Sequence, residues 1–202
     1  MKTTKIEQFS GSNVYLINTL LISIFKGMRR IILVGFMGSG KTTLGKKIAQ
    51  SMGIPFIDSD QEIEEHFQKS IGEIFTENGE SYFRTIETEY IEALDLRDEF
   101  VLATGGGMPC FDRNMSMLNE IGTTFYLNQS PKELAHRLSH AKFPRPLIEG
   151  LSEDELLPFI EDKLSAREEY YKMATIVLDQ DEQTAETIEH LTELLLQPLQ
   201  KS

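Results

Sequence analysis

Gly35-Phe36-Met37-Gly38-Ser39-Gly40-Lys41-Thr42 fits the pattern G-x-x-x-x-G-K-[ST], and its reading decides the fold. The stretch follows a short β-branched run, Arg30–Val34, and opens directly into helical sequence, which is the setting in which this motif cradles phosphate. Glycines let consecutive backbone N–H groups close around phosphate oxygens with no Cβ in the way, and the N-terminus of the following helix adds a favourable dipole. On that reading Gly38, Ser39, Gly40, Lys41, Thr42 and Thr43 bind the phosphates of a nucleotide. Lys41 reaches the β- and γ-phosphates, and Thr42 offers a hydroxyl to Mg²⁺, whose octahedral shell takes one or two protein oxygens beside water and phosphate. A chance glycine-rich turn would not put strand, loop, lysine and helix in register.

Outward from this loop, short apolar runs alternate with longer helical patterns. They predict an α/β protein, a three-layer αβα P-loop fold with a five-stranded parallel sheet and a mobile lid. The expected strands are Arg30–Val34, Pro55–Asp58, Phe100–Thr104, Thr124–Leu127 and Thr175–Leu178, each the brief run expected of a strand buried on both faces. Thr184–Leu196 carries Ile188, Leu191, Leu194 and Leu195 on one stripe and reads as a closing helix. Ser139–Leu151, where two prolines bracket Arg145, breaks both periodicities and reads as the lid.

At 202 residues the chain suits a single domain, and a formal charge of −12 works against a general affinity for nucleic acid or acidic membrane. Any anion site must therefore be local. One cysteine, Cys110, cannot form an intramolecular disulfide, which fits a reducing cytoplasm. Residues 1–27 are expected to lie outside the fold, with residues 28–202 forming the working domain. Their apolar segment, Val14–Phe25, is too short to span a bilayer. The four histidines, His66, His136, His140 and His190, lack metal-ligand spacing. The small size and the lack of an evident apolar patch point to a monomer.

The loop alone does not separate kinases from GTPases and motor ATPases. No guanine-reading N-K-x-D segment is present, and motors usually exceed one such domain, so a small-molecule kinase remains. Asp58 and Asp60 stand at the end of the second expected strand, the edge where open α/β sheets collect ligands. If the strand continues to Asp60, both carboxylates face the same way, one toward Mg²⁺ and the other toward the proton of an attacking hydroxyl. The alternative is a helix cap, since Ser59 or Asp60 also suits the start of a helix at Gln61–Gln68.

Five separated motifs carry a resemblance: GFMGSGKTT from Gly35, FIDSD from Phe56, GESYFR with Glu87 from Gly79, TGGG at Thr104–Gly107, and RPL at Arg145–Leu147. Together they resemble the shikimate kinases from about Met28 through Leu196. The resemblance implies a cytoplasmic enzyme that transfers the γ-phosphate of ATP to shikimate. It implies Asp60 as a shikimate contact and candidate base, Asp58 near Mg²⁺, Arg84 and Arg167 on the substrate carboxylate, and a glutamate at Glu87 that orients Arg84. It implies Gly105, Gly106 and Gly107 against the ring substrate, Arg145 as the lid arginine on the transferring phosphoryl group, and Arg137 beside adenine. The stretch from Arg137 to Arg145 runs one residue longer than the family pattern.

The residue types agree independently, because guanidinium forks grip a planar carboxylate in a way lysine cannot. Blander readings stand beside these. Arg84 can be an i,i+3 partner of Glu87 on a solvated helix, the glycines a flexible turn, Phe83 core packing, and Arg145 a loop charge. Two rival functions also remain at the level of sequence: a gluconate or nucleoside monophosphate kinase of the same fold, and a nucleotide-gated module that transfers nothing. The carboxylate-suited GESYFR and TGGG segments disfavour the first, and the intact set of Lys41, Thr42, Asp58, Asp60, Arg84, Arg145 and Arg167 disfavours the second.

Overall fold

Five apolar runs form the strands β1 (Arg30–Val34), β2 (Phe56–Asp58), β3 (Phe100–Ala103), β4 (Thr123–Leu127) and β5 (Ile176–Leu178). In the computed structural model they pair in the order β2-β3-β1-β4-β5, every pair parallel. The structure describes residues 29–94, 98–140, 148 and 150–196. The expected N-terminal extension and most of the expected lid, Arg145 included, lie outside the described residues. Each strand matches its expected bounds to within one residue.

Burial on both faces follows from the helices between the strands: α1 (Lys41–Met52), α2 (Ser59–Phe67), α3 (Ile71–Leu94), α4 (Asn114–Ile121), α5 (Pro131–Ser139), α6 (Glu153–Ser165), α7 (Glu168–Tyr171) and α8 (Ala185–Leu196). Because side chains alternate along a strand, β1 feeds two cores. Ile31 and Leu33 pack with Leu44 and Ile48 of α1 and Ile188 of α8. Ile32 and Val34 pack with Ile63 of α2, Ile86 of α3, Leu118 of α4 and Leu134 of α5. The result is three layers, helix, sheet and helix, as the alternating pattern predicts.

Local chemistry sets the ends that matter for the site. The N-cap of α1 is Gly40 at φ 100°, a left-handed conformation that suits a residue without Cβ, and it turns the chain from the phosphate loop into the helix. At the β2–α2 junction the helical alternative holds, with a different cap residue. The strand stops at Asp58, so Asp60 does not share its face; it stands in the first turn of α2. The cap is Asp58, rather than Ser59 or Asp60, and its Oδ1 accepts the Asp60 N–H at 3.2 Å. An anionic cap satisfies a free amide and complements the helix dipole, which is why the helix begins two residues earlier than Gln61. Helix α3 is interrupted at Gly79 (φ 83°, ψ 168°), so the GESYFR segment starts a fresh helical run.

The closing helix forms as its stripe predicts. Thr184 Oγ1 accepts the Thr187 N–H at 3.1 Å at its start, Ile188 is fully buried and Leu191 packs on the same core, while the side chains of Leu194 and Leu195 lie outside the described set. Ile188→Ala should therefore lower the thermal midpoint by about 5–15 °C, the scale of a cavity costing about 2–5 kcal/mol in a domain this size, as calorimetry would register. A midpoint within a degree of wild type would show that α8 closes nothing.

Candidate active site

The loop after β1 binds its own lysine. Lys41 Nζ donates to Gly35 O at 2.8 Å and to Phe36 O at 2.9 Å, which holds the ammonium across the mouth of the loop. Ser39 is buried, and its Oγ finds no hydrogen-bond partner among the described residues. A buried hydroxyl without a partner is costly unless something completes it, and a phosphate oxygen is suited to that. The first turn of α1 carries no acidic side chain of its own, which leaves its N-terminal dipole favourable to an anion. Arg137 of α5 lies over the same loop, its Nη1 donating to Ser39 O at 3.3 Å and its Nε to Glu133 at 2.7 Å. The residues read as nucleotide-binding thus come together, apart from Arg145.

Thr42 and Asp58 meet across the cleft. Thr42 Oγ1 donates to Asp58 Oδ2 at 2.9 Å. Neighbouring oxygens in an octahedron of ~2.0–2.1 Å bonds stand about 2.9 Å apart, so this pair has the spacing of two adjacent Mg²⁺ ligands. Among the described residues no group of three or more His, Cys, Asp or Glu gathers as a metal cage.

The acceptor side is built around Gly105–Gly107, at the end of β3. A Cβ on Gly105 would collide with Asp60 Oδ1, and one on Gly107 would lie 2.6 Å from Arg84 Nη1. The glycines are therefore the floor on which the two side chains rest. Arg84 is held by carboxylates on its own helix: Nη1 donates to Glu87 Oε2 at 2.6 Å, and Nη2 to Glu80 Oε1 at 2.9 Å. Its guanidinium lies over the rings of Phe75 and Phe83, at 5.8 Å from each centroid. Phe83 is buried in the core, so the packing reading of that residue holds. Arg167, at the start of α7, stacks over Phe36 of the phosphate loop at 5.6 Å.

Electrostatics ties these groups into one field. Burial raises the Glu87 carboxyl to about 7; Arg84 pulls it back, Asp60 pushes it further up, and Arg167 opposes that. Burial alone would lower the Arg84 guanidinium, yet Glu87 and Glu80 hold it above its ordinary value. The two shifts are compatible: the pair attracts, but the carboxylate, only 1% exposed, loses more hydration than the attraction returns. Burial likewise pushes the Cys110 thiol up to about 11 despite the nearby Arg167, which disfavours the reactive thiolate.

A sequence model described as "Shikimate kinase" matches residues 37–196. A shikimate kinase from Bacteroides fragilis is 43% identical over 173 residues, covering 83% of this chain and 97% of its own. The chain belongs to the shikimate kinase family. The solved shikimate kinase of Bacteroides thetaiotaomicron superposes with a TM-score of 0.77 at 43% identity, covering 84% of this chain and 99% of that one. The Acinetobacter baumannii shikimate kinase, solved in complex with shikimate, gives 0.72 at 32% identity over 89% of this chain and 99% of that one. A gluconokinase from Sinorhizobium meliloti shares the fold alone, at 19% identity and a TM-score of 0.50. Kinases of this family use ATP. Among the described residues no helix is long and apolar enough to cross a membrane.

Two contacts in this shikimate kinase site escape a sequence reading. Ser59 accepts the Gly105 N–H at 2.8 Å, and Tyr171 donates to Gly106 O at 2.5 Å. Ser59 sits between two more conspicuous aspartates, and Tyr171 looks like any core aromatic, so only its i+4 offset from Arg167 hinted at a place near the site.

The Glu87 shift has a testable sign. A carboxyl whose pKa rises from 4.5 unfolded to about 7 folded contributes stability below pH 4.5 that is lost as pH climbs through 7. Relative to Glu87→Gln, which is neutral throughout, wild type should lose stability between about pH 4.5 and 7.5, as paired thermal melts across that range would show. A constant difference between the two would mean that Glu87 titrates normally.

Proposed function

We propose that this chain transfers the γ-phosphate of ATP to the 3-hydroxyl of shikimate, giving 3-phosphoshikimate and ADP. The observation that carries the reading is the convergence of Asp60, Arg84 and Arg167 around Gly105–Gly107, directly beside the phosphate loop. A small anionic ring alcohol needs cations at one end and a proton acceptor at the other, and this floor supplies both. Arg84, pre-oriented by Glu87 and Glu80, presents a fixed fork to the carboxylate, and Arg167 adds the second cation. Asp60, at the other end of the floor, accepts the proton of the attacking hydroxyl. Lys41 exchanges its bonds to Gly35 O and Phe36 O for phosphate oxygens and stabilises the charge that builds there. Arg137 lies along the nucleotide side of the loop, and Arg145, outside the described residues, completes the shell from the lid. Mg²⁺, bound through Thr42 and Asp58, would neutralise phosphate charge. The substrate is a free small molecule, and cytoplasmic location and a monomeric state complete the reading.

The experiment is ADP release measured with shikimate, gluconate and CMP in parallel. Turnover confined to shikimate is expected. Turnover with gluconate or CMP would transfer the reading to a kinase of the same fold, and nucleotide binding without turnover on any of the three would make the chain a binding module. Within that assay, Arg84→Lys should raise the KM for shikimate by at least about tenfold, because an ammonium cannot make the bidentate contact, and leave the KM for ATP nearly unchanged. Equal losses for both ligands would place Arg84 elsewhere.

A further inference from the structure

The turn Gly105–Gly107 is held from opposite sides by two hydroxyl groups that the chemistry above does not use. On one side the Gly105 N–H donates to Ser59 Oγ at 2.8 Å, and Ser59 is wholly buried. On the other the Tyr171 hydroxyl donates to Gly106 O at 2.5 Å, across 65 residues of chain. Tyr171 is also fully buried, and its ring stacks on Tyr126 with centroids 5.2 Å apart and planes inclined at 28°. Burial holds its phenol well above the ordinary value, so it remains a donor at working pH.

What these hydroxyls are attached to gives the contacts their meaning. Ser59 stands between Asp58 and Asp60 at the head of α2, so its bond ties the turn to the segment that carries the candidate base. Tyr171 lies one helical turn beyond Arg167, so its bond ties the same turn to the segment that carries the second carboxylate-binding cation. The middle glycine faces the phosphate loop: a Cβ on Gly106 would stand 3.3 Å from Met37 N and 3.7 Å from Gly35 O. Acceptor-side groups and the phosphate loop therefore meet at one peptide segment, and a shift there of a few tenths of an ångström moves the acceptor relative to the donor.

We propose that Ser59 and Tyr171 are positioning residues that act through the glycine turn, setting the register between the side chains that grip the acceptor and the loop that holds the donor. Neither touches substrate; each fixes the backbone against which Asp60, Arg84 and Arg167 are arranged. The inference rests on the acceptor reading given under Proposed function.

The test uses the full chain with Tyr171→Phe, which keeps the ring stack and deletes one hydroxyl, and Ser59→Ala. ADP release is measured with shikimate and ATP varied separately, and amide hydrogen exchange is followed at Gly105–Gly107 and in β1. Each variant should raise the KM for shikimate about fivefold, the factor that losing one neutral hydrogen bond gives, with the KM for ATP changed less than twofold. Exchange at the turn should quicken while β1 is unaffected. An unchanged KM for shikimate, or equal rises for both substrates, would overturn the proposal and leave two merely structural contacts. If wild type turns over no shikimate at all, the function reading fails instead; exchange then decides the clamp, and unaltered exchange at the turn in both variants overturns it.

Discussion

A chain with a formal charge of −12 that must hold two anions side by side faces one governing electrostatic problem: cations must be concentrated where both ligands bind and kept from collapsing onto the surrounding carboxylates. The fold meets it at the C-terminal edge of the sheet, where parallel strands deliver their loops to one place. There the phosphate loop and Lys41 follow β1, Asp58 ends β2, and the glycine turn follows β3. Arg84 and Arg167 arrive from helices on one face. Each cation is placed by backbone carbonyls, by an aromatic face or by a partner on its own helix, all of which orient it without removing its charge.

The glycine turn is the steric counterpart of that arrangement. Two side chains of opposite sign, Asp60 and Arg84, rest on positions where any Cβ would displace them. They are separated by one residue of backbone, and that spacing distinguishes a site for a small bifunctional molecule from two unrelated surface charges. The anionic and the cationic side chain are thus held at a spacing fixed by one peptide segment. The aromatic rings at this floor, Phe75 and Phe83 beneath Arg84 and Phe36 beneath Arg167, are each covered by a guanidinium.

Most of the fold was legible because its signals are local. Buried parallel strands are short β-branched runs whatever surrounds them, and all five were placed within a residue of their bounds. The phosphate loop was equally plain, since its glycines and lysine are adjacent in sequence. The β2–α2 junction stayed open at the level of sequence for a physical reason: continuing a strand past Asp58 and starting a helix there both suit the residues Asp-Ser-Asp. The choice between them is made by Asp58 accepting the Asp60 amide while its other oxygen takes the Thr42 hydroxyl, a tertiary contact that no local pattern contains. Ser59 and Tyr171 were missed for the same reason, because each bonds to a glycine far away in sequence and neither belongs to a spaced motif.

The Arg84–Glu87 pair shows why a buried salt bridge belongs here at all. A carboxylate this buried loses more hydration than a single guanidinium restores, which is why its pKa is pushed up to about 7. A solvated partner would have cost the fold less, but it would not have fixed the arginine against Gly107. Glu87 orients Arg84 through the short hydrogen bond, and the guanidinium keeps its proton, its pKa held above the ordinary value by Glu87 and Glu80 together. The stability forfeited by burying Glu87 is thus the physical counterpart of a cation held rigid, oriented and still attractive to an anion.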